Sequence, residues 1–258
     1  MKMAPIEFDS DVFSCVRKDE FAILSFKEAA LKISTTIGAK EELFSVLSAI
    51  EESTSVKGLM VINSEQYPGE AKRLRLFEEI IRCESNEGKK HIIAKINAMH
   101  SQIMHTMVNF DKPIVIGMHG KIESFFMGIS FAAEYRIATP DTVLVRINTK
   151  LGLPPDGVFA FFLIRNLGQI KAIDLLLSKS AINASEAFDL GLLTEIVNEN
   201  ELQNRCLEKL KRICELPSYL ISATRRLVQP ELNDLNNFIN RSYQDYYMNL
   251  MVMQQKSE

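Results

Sequence analysis

Cysteine is scarce in this chain, and tryptophan is absent. The four cysteines, Cys15, Cys83, Cys206 and Cys214, form no CxxC pair. No Cys/His cluster stands at zinc spacing either, so neither a metal site nor a resident cofactor is expected. Thiols used this sparingly read as the reduced thiols of a cytoplasmic protein. Apolar runs approaching ~18 residues are missing, so no segment is expected to span a bilayer. The opening MKMAPIEFDSDVF has no apolar signal core and turns acidic, unlike a secretory or transit peptide. An excess of one charge is missing as well. The 30 Lys+Arg face 33 Asp+Glu, for a net charge of -3. That balance removes a bulk basic surface, and with it nucleic acid or a membrane as the expected partner.

The 258 residues are 47% hydrophobic and 24% charged, an ordinary globular composition with ample material for one large core. Phe13–Val16 and Phe21–Phe26 read as short strands around the charged turn RKDE. In AKEELFSVLSAIEES, Leu43, Val46, Leu47 and Ile50 stand at helical spacing. The continuously apolar KGLMVIN that follows fits a buried parallel strand, completing a β-α-β passage. SEQYPGEAKR reads as a loop. RLRLFEEIIRC and KKHIIAKINAMHSQIMHTMVNF read as helices, the second carrying Ile93, Ile96, Met99, Ile103, Met104 and Met107 on one stripe. His91, His100 and His105 lie along that helix without metal-binding i, i+4 spacing and read as surface or helix-face residues. KPIVIGMHG is a second buried strand. SFFMGISFAAEYRIA predicts a helix running into a strand, DTVLVRI a strand, GLPPDG a sharp turn, and VFAFFLIRNLG a helix capped by Gly168. IKAIDLLLS, ASEAFDLGL and TEIV predict helix, helix, strand. Beyond about Glu199 the pattern is only helical. The expected organisation is an α/β core over 1–197 and a helical region over 198–258, without a Gly/Ser linker or internal repeat.

Four blocks in register carry a resemblance. Lys112–Gly120 (KPIVIGMHG), Lys150–Gly157 (KLGLPPDG), Leu163–Gly168 (LIRNLG) and Ala184–Leu193 (ASEAFDLGLL) resemble, in order and spacing, blocks of the crotonase (enoyl-CoA hydratase/isomerase) superfamily. The weaker N-terminal strands and C-terminal helices extend the likeness over nearly the whole chain. The resemblance implies an α/β spiral of β-β-α turns with a C-terminal helical region that drives oligomerisation, as a homotrimer or dimer of trimers. It also implies an acyl-CoA or acyl-thioester partner, CoA being part of the substrate, and a place in fatty acid metabolism. The family's shared chemistry holds an enolate-like oxyanion on two backbone N–H groups, one at a helix N-terminus, where fixed donors stabilise charge as it develops.

Residue by residue, the first oxyanion loop falls on Tyr67-Pro68-Gly69-Glu70-Ala71, with Gly69 retained and the Glu70 N–H as donor. The Gly-rich second stretch falls on Glu123-Ser124-Phe125-Phe126, with the Phe125 N–H as donor. The two hydratase glutamates fall on Gly128 and Asn148. Water addition needs a base for water and an acid for the substrate carbon, and neither residue supplies one. Asp156 remains, at the position that carries the catalytic Asp of several isomerase branches and the nucleophile of the 4-chlorobenzoyl-CoA dehalogenase branch. One carboxylate suffices to remove a proton at one carbon and return it at another. The resemblance therefore implies an enoyl-CoA isomerase-like enzyme rather than a standard hydratase, with Asp156 as base. Gly69, His119, Ser124, Gly128 and Asn148 are its expected pocket residues. The alternative is a catalytically inactive homologue acting as a binding or assembly subunit.

Structural readings stand beside these. Asp156 also suits the N-cap of the following helix. His119 also suits a buried, hydrogen-bonded core position. Glu123 reads as a first-turn helix acid. Lys72, Arg73, Arg75, Arg225 and Arg226 face CoA phosphates in one reading and solvent in the other. Phe159, Phe161, Phe162 and the methionines read as core.

Overall fold

The computed structural model describes residues 6–64, 67, 69–83, 85–145, 148, 151–155, 157–178 and 181–255, with backbone only at 69–73, 124–125 and 253–255. The chain opens with β1 (Phe8–Asp9), β2 (Phe13–Lys18) and β3 (Phe21–Phe26), then α1 (Lys32–Thr35), α2 (Ile37–Glu52) and β4 (Gly58–Asn63). Two long helices follow, α3 (Gly69–Arg82) and α4 (Asn86–Asn109). Next come β5 (Ile114–Met118), β6 (Lys121–Glu123), α5 (Ser124–Ser130), β7 (Tyr135–Ala138) and β8 (Val143–Val145). The remainder runs α6 (Gly157–Leu167), α7 (Gln169–Ser178), β9 (Ala181–Asn183), α8 (Ala184–Asp189), β10 (Glu195–Ile196), α9 (Glu199–Ile213), α10 (Ser218–Val228) and α11 (Leu232–Gln255).

A seven-stranded sheet runs β1-β2-β3-β4-β5-β7-β10, and a three-stranded sheet runs β6-β8-β9. β1, β2 and β3 pair antiparallel, whereas β3, β4, β5, β7 and β10 pair parallel. The chain alternates between the sheets. β5 joins the large sheet and β6 the small one before α5 follows; β7 and β8 repeat the step before α6. This is the expected spiral of β-β-α turns.

Local chemistry explains the elements. β5 is buried at every residue, as a parallel strand covered on both faces must be. Alternate residues of the large sheet face opposite layers. Ile23, Met60, Val115 and Ile137 meet Leu202, Cys206 and Leu210 of α9. Leu24, Val61 and Ile116 lie in the main core on the other side. α9 is thus the cover of one sheet face rather than an appendage, and each of its buried leucines contributes about 2 kcal/mol. Gly168, at φ +75°, ends α6 by donating its N–H to the Ile164 carbonyl at 2.8 Å.

Several details depart from the sequence reading. β1, β6 and β9 are strands of two or three residues that no local pattern announced. The helical start at Gly69 takes the end of the expected loop into α3. His100 is fully buried, not at the surface, and its Nδ1 meets the Tyr243 hydroxyl at 2.6 Å. Arg225 is 4% exposed and ion-paired with Glu134, so it is unavailable to a phosphate. Glu134 also accepts from the Ile114 N–H at 2.6 Å, which fastens α10 to the start of β5. Burial pushes the Glu134 carboxyl above its ordinary value, against the pull of the Arg225 guanidinium.

Candidate active site

The C-terminal ends of β4 and β5 are locked side by side. The Asn63 side chain donates to the His119 carbonyl at 2.9 Å and accepts from the His119 N–H at 3.1 Å. The imidazole Nε2 completes the clasp at 2.6 Å from the Asn63 carbonyl. A carbonyl only accepts, so Nε2 carries the proton. His119 is therefore a half-buried clasp residue at the strand end. The apolar run of GLMVIN ends in a buried polar residue, which is the one sequence signal that could have announced this clasp.

After β4, the Tyr67 N–H donates to the Ser64 carbonyl at 2.9 Å. The Tyr67 hydroxyl donates to Glu123 Oε1 at 2.9 Å. The same oxygen accepts from the Phe126 N–H at 3.0 Å. Glu123, expected in the first turn of α5, instead stands just before it and caps it, using an N–H that has no intrahelical partner. The carboxylate is 2% exposed. Above it, the buried Phe126 ring lies edge-on to Tyr67 at 5.4 Å and to Phe26 at 5.8 Å between centroids. The Tyr67–Glu123 pair spans 56 residues, so only the fold reveals it.

Gly128 faces α6. A Cβ there would stand 2.5 Å from Val158 Cγ1 and 3.1 Å from Val158 Cβ, so the helices meet where a side chain would be. Asn148 is buried, and its side chain donates to the Pro154 carbonyl at 3.2 Å. Its own carbonyl accepts from the N–H groups of Leu151 and Leu153. Asp156 lies outside the described residues. Gly69, Glu70, Ser124 and Phe125 are described in backbone only: the first two open α3 and the others open α5. Gly157, which opens α6, sits so close to Ser242 of α11 that a Cβ would overlap its hydroxyl.

Beside Gly157, α3, α4 and α11 leave only a narrow apolar crevice of about 10 Å³, walled by Phe77, Ile80, Ile93, Ile96, Tyr246 and Leu250. The water-sized space within it admits no more than about one water molecule. Three polar rungs hold α11 on α4: Ser101 to Asn236 at 2.7 Å, Asn97 to Asn240 at 3.0 Å, and His100 to Tyr243. Among the described residues no cluster of His, Cys, Asp or Glu is arranged to hold a metal ion. No helix among them is long and apolar enough to cross a membrane.

The chain matches the enoyl-CoA hydratase/isomerase family over residues 34–257. It belongs to that family. Crotonase-fold structures superpose on nearly all of it. The enoyl-CoA hydratase from Bacillus halodurans gives a TM-score of 0.78 at 20% identity, over 93% of this chain and 95% of that one. An enoyl-CoA hydratase/isomerase from Cupriavidus metallidurans CH34 gives 0.71 at 18%, over 91% and 88%. In sequence the chain is similar to 4-chlorobenzoyl coenzyme A dehalogenase-1 of Arthrobacter sp, 22% identical over 59% of this chain and 55% of that one. It is also similar to the trans-2-decenoyl-[acyl-carrier-protein] isomerase of Streptococcus mutans, 26% identical over 46% and 47%. The chain thus spans about half the length of these curated relatives.

Proposed function

We propose that this crotonase-family protein binds an acyl-CoA or similar acyl thioester and shifts its double bond through an enolate. The backbone N–H groups of Glu70 and Phe125 hold the thioester oxygen, and Asp156 is the base. The carboxylate takes a proton from the carbon next to the unsaturation. The C–H electron pair enters the conjugated system, and negative charge gathers on the thioester oxygen between the two donors. The same carboxyl, now protonated, returns the proton at the far end, so no water and no second acid are consumed. Standard hydration is not proposed, because it needs two carboxylates, and the corresponding positions hold Gly128 and Asn148.

The observation that supports this reading is the convergence of two segments on α5. The Tyr67–Glu123 bond ties the Glu70-bearing segment to the start of α5. The Gly128–Val158 contact ties α6, and with it the chain that follows Asp156, to the same short helix. Self-association as a homotrimer or dimer of trimers belongs to the proposal too. It is supported by the bare apolar stripe of Ile170, Ile173 and Leu177 on α7.

A second reading, an inactive binding or assembly subunit, is favoured by one feature. Glu123 occupies the Phe126 N–H, and aromatic rings crowd the start of α5. A panel of acyl-CoAs varied in length and unsaturation separates the two readings, with thermal shift reporting binding and enoyl absorbance reporting turnover. The expected result is stabilisation by at least one acyl-CoA and a double-bond shift. Asp156→Asn should keep the stabilisation and lose about 10²- to 10⁴-fold in turnover. Full turnover by Asp156→Asn refutes the assigned base. No stabilisation by any acyl-CoA or by free CoA favours the subunit reading.

A further inference from the structure

The proposed reaction leaves a buried acid beside its centre without a role. Glu123 Oε1 accepts from Tyr67 O–H at 2.9 Å and from Phe126 N–H at 3.0 Å. Each partner stands near a proposed donor in the chain: Tyr67 lies three residues before Glu70, and Phe126 directly follows Phe125. We infer that Glu123 is a positioning residue, whose single oxygen ties the β4–α3 segment to the start of α5 and thereby sets the separation of the two main-chain donors. The inference rests on the oxyanion reading above.

Two N–H groups stabilise one oxygen only when both aim at it, and a displacement of ~1 Å costs about 100-fold in rate. The two donor segments come from distant parts of the chain, so something must fix their spacing. Glu123 is built for that role. Its backbone is held in β6 opposite Val145 of β8, and its carboxylate is out of water. The edge-on contacts of Phe126 with Tyr67 and Phe26 wedge the same junction from the apolar side. The function required is that of an acceptor, not of a charge. A glutamine oxygen can accept both bonds, and a carboxylate charge so near an enolate opposes it. Substitution by glutamine therefore separates geometry from acid–base chemistry.

The test compares the native protein with E123A, E123Q and Y67F. It measures kcat and KM on the acyl-CoA selected from the panel, and amide exchange of the ligand-free proteins at residues 67–72 and 124–128. E123A should lower kcat by about 10- to 100-fold with KM little changed. E123Q should recover most of that loss, and Y67F should fall between. Exchange should rise in both segments together in E123A and Y67F. Native kcat in E123A overturns the inference. So does E123Q falling as far as E123A, which would make the carboxylate itself an acid or base. If the native protein turns over none of the panel, the oxyanion reading fails and exchange alone decides the tie. A joint rise then upholds it, and a rise confined to one segment overturns it.

Discussion

Filling Gly128 tests the packing that joins α5 to α6. A methyl group there would meet Val158 Cγ1 at 2.5 Å. Relaxed carbon contacts lie near 3.5–4.0 Å, so the overlap is about 1 Å. Val158 cannot swing away cheaply, because a β-branched side chain in a helix has one strongly preferred rotamer. Overpacking of this kind costs about 1–3 kcal/mol. Replacing a helical glycine by alanine returns about 1 kcal/mol. Gly128→Ala alone should therefore lose roughly 0–2 kcal/mol. Val158→Ala removes two methyl groups, about 1.6 kcal/mol of transfer free energy before any cavity term. In that background the 2.5 Å clash is gone, the Cβ contact at 3.1 Å stays tight, and the new methyl at 128 fills part of the hole. Gly128→Ala should then stabilise by about 1 kcal/mol, a coupling of about 1–3 kcal/mol across the pair. With no tryptophan in the chain, urea unfolding followed by far-UV circular dichroism is the assay. The midpoint should shift at constant slope. If Gly128→Ala has the same effect in both backgrounds, the two residues do not share the space described.

The Arg225–Glu134 pair and the cysteines supply the other tests. Arg225→Met should cost about 3 kcal/mol at neutral pH, toward the low end for a buried pair because Glu134 keeps 22% of its side-chain surface. Removing the guanidinium raises the Glu134 carboxyl further above its ordinary value. A carboxyl raised on folding stabilises the fold below its unfolded pKa and loses that contribution as pH climbs toward the folded one. The penalty of Arg225→Met should thus shrink below pH ~4.5 and grow above it. A pH-independent penalty in paired unfolding curves contradicts this account. For the thiols, burial pushes Cys15 and Cys206 up to about 12, and both are fully buried. A native-state maleimide titration near pH 8 should leave both unmodified, and unfolding should expose them. Four rapid modifications in the native state would show that α9 does not stay on the sheet.

The elements that could be read from sequence are those whose pattern is local. β4 and β5 announce themselves because a parallel strand covered on both faces must be apolar throughout. α4 does so because seven of its apolar side chains fall on one buried stripe, from Ile93 to Val108. Gly168 marks the end of α6 through its backbone alone. β6 resists reading because Lys121, Ile122 and Glu123 carry no strand signature; pairing with β8 makes them a strand. The Leu202, Cys206 and Leu210 spacing predicts a helix but not the sheet face it covers. At the site the limit is of the same kind. Asn63–His119 and Tyr67–Glu123 are each separated by 56 residues. Their contact is a property of the sheet order rather than of either segment.

Those long-range contacts narrow the chemistry that the site can support. A second catalytic carboxylate would need space at position 128, and Val158 fills it. Glu123 is a carboxylate at the start of the same helix, and its Oε1 already accepts from Phe126 and Tyr67. The Glu123 charge also bears on the enolate. A carboxylate charge close to the proposed enolate would oppose it, against the contribution of the α5 N-terminus. The bonds that Glu123 accepts from the Phe126 N–H and the Tyr67 hydroxyl offset part of that charge. Chemistry that needs one carboxylate rather than two is compatible with these contacts, and the double-bond shift proposed above is one such reaction.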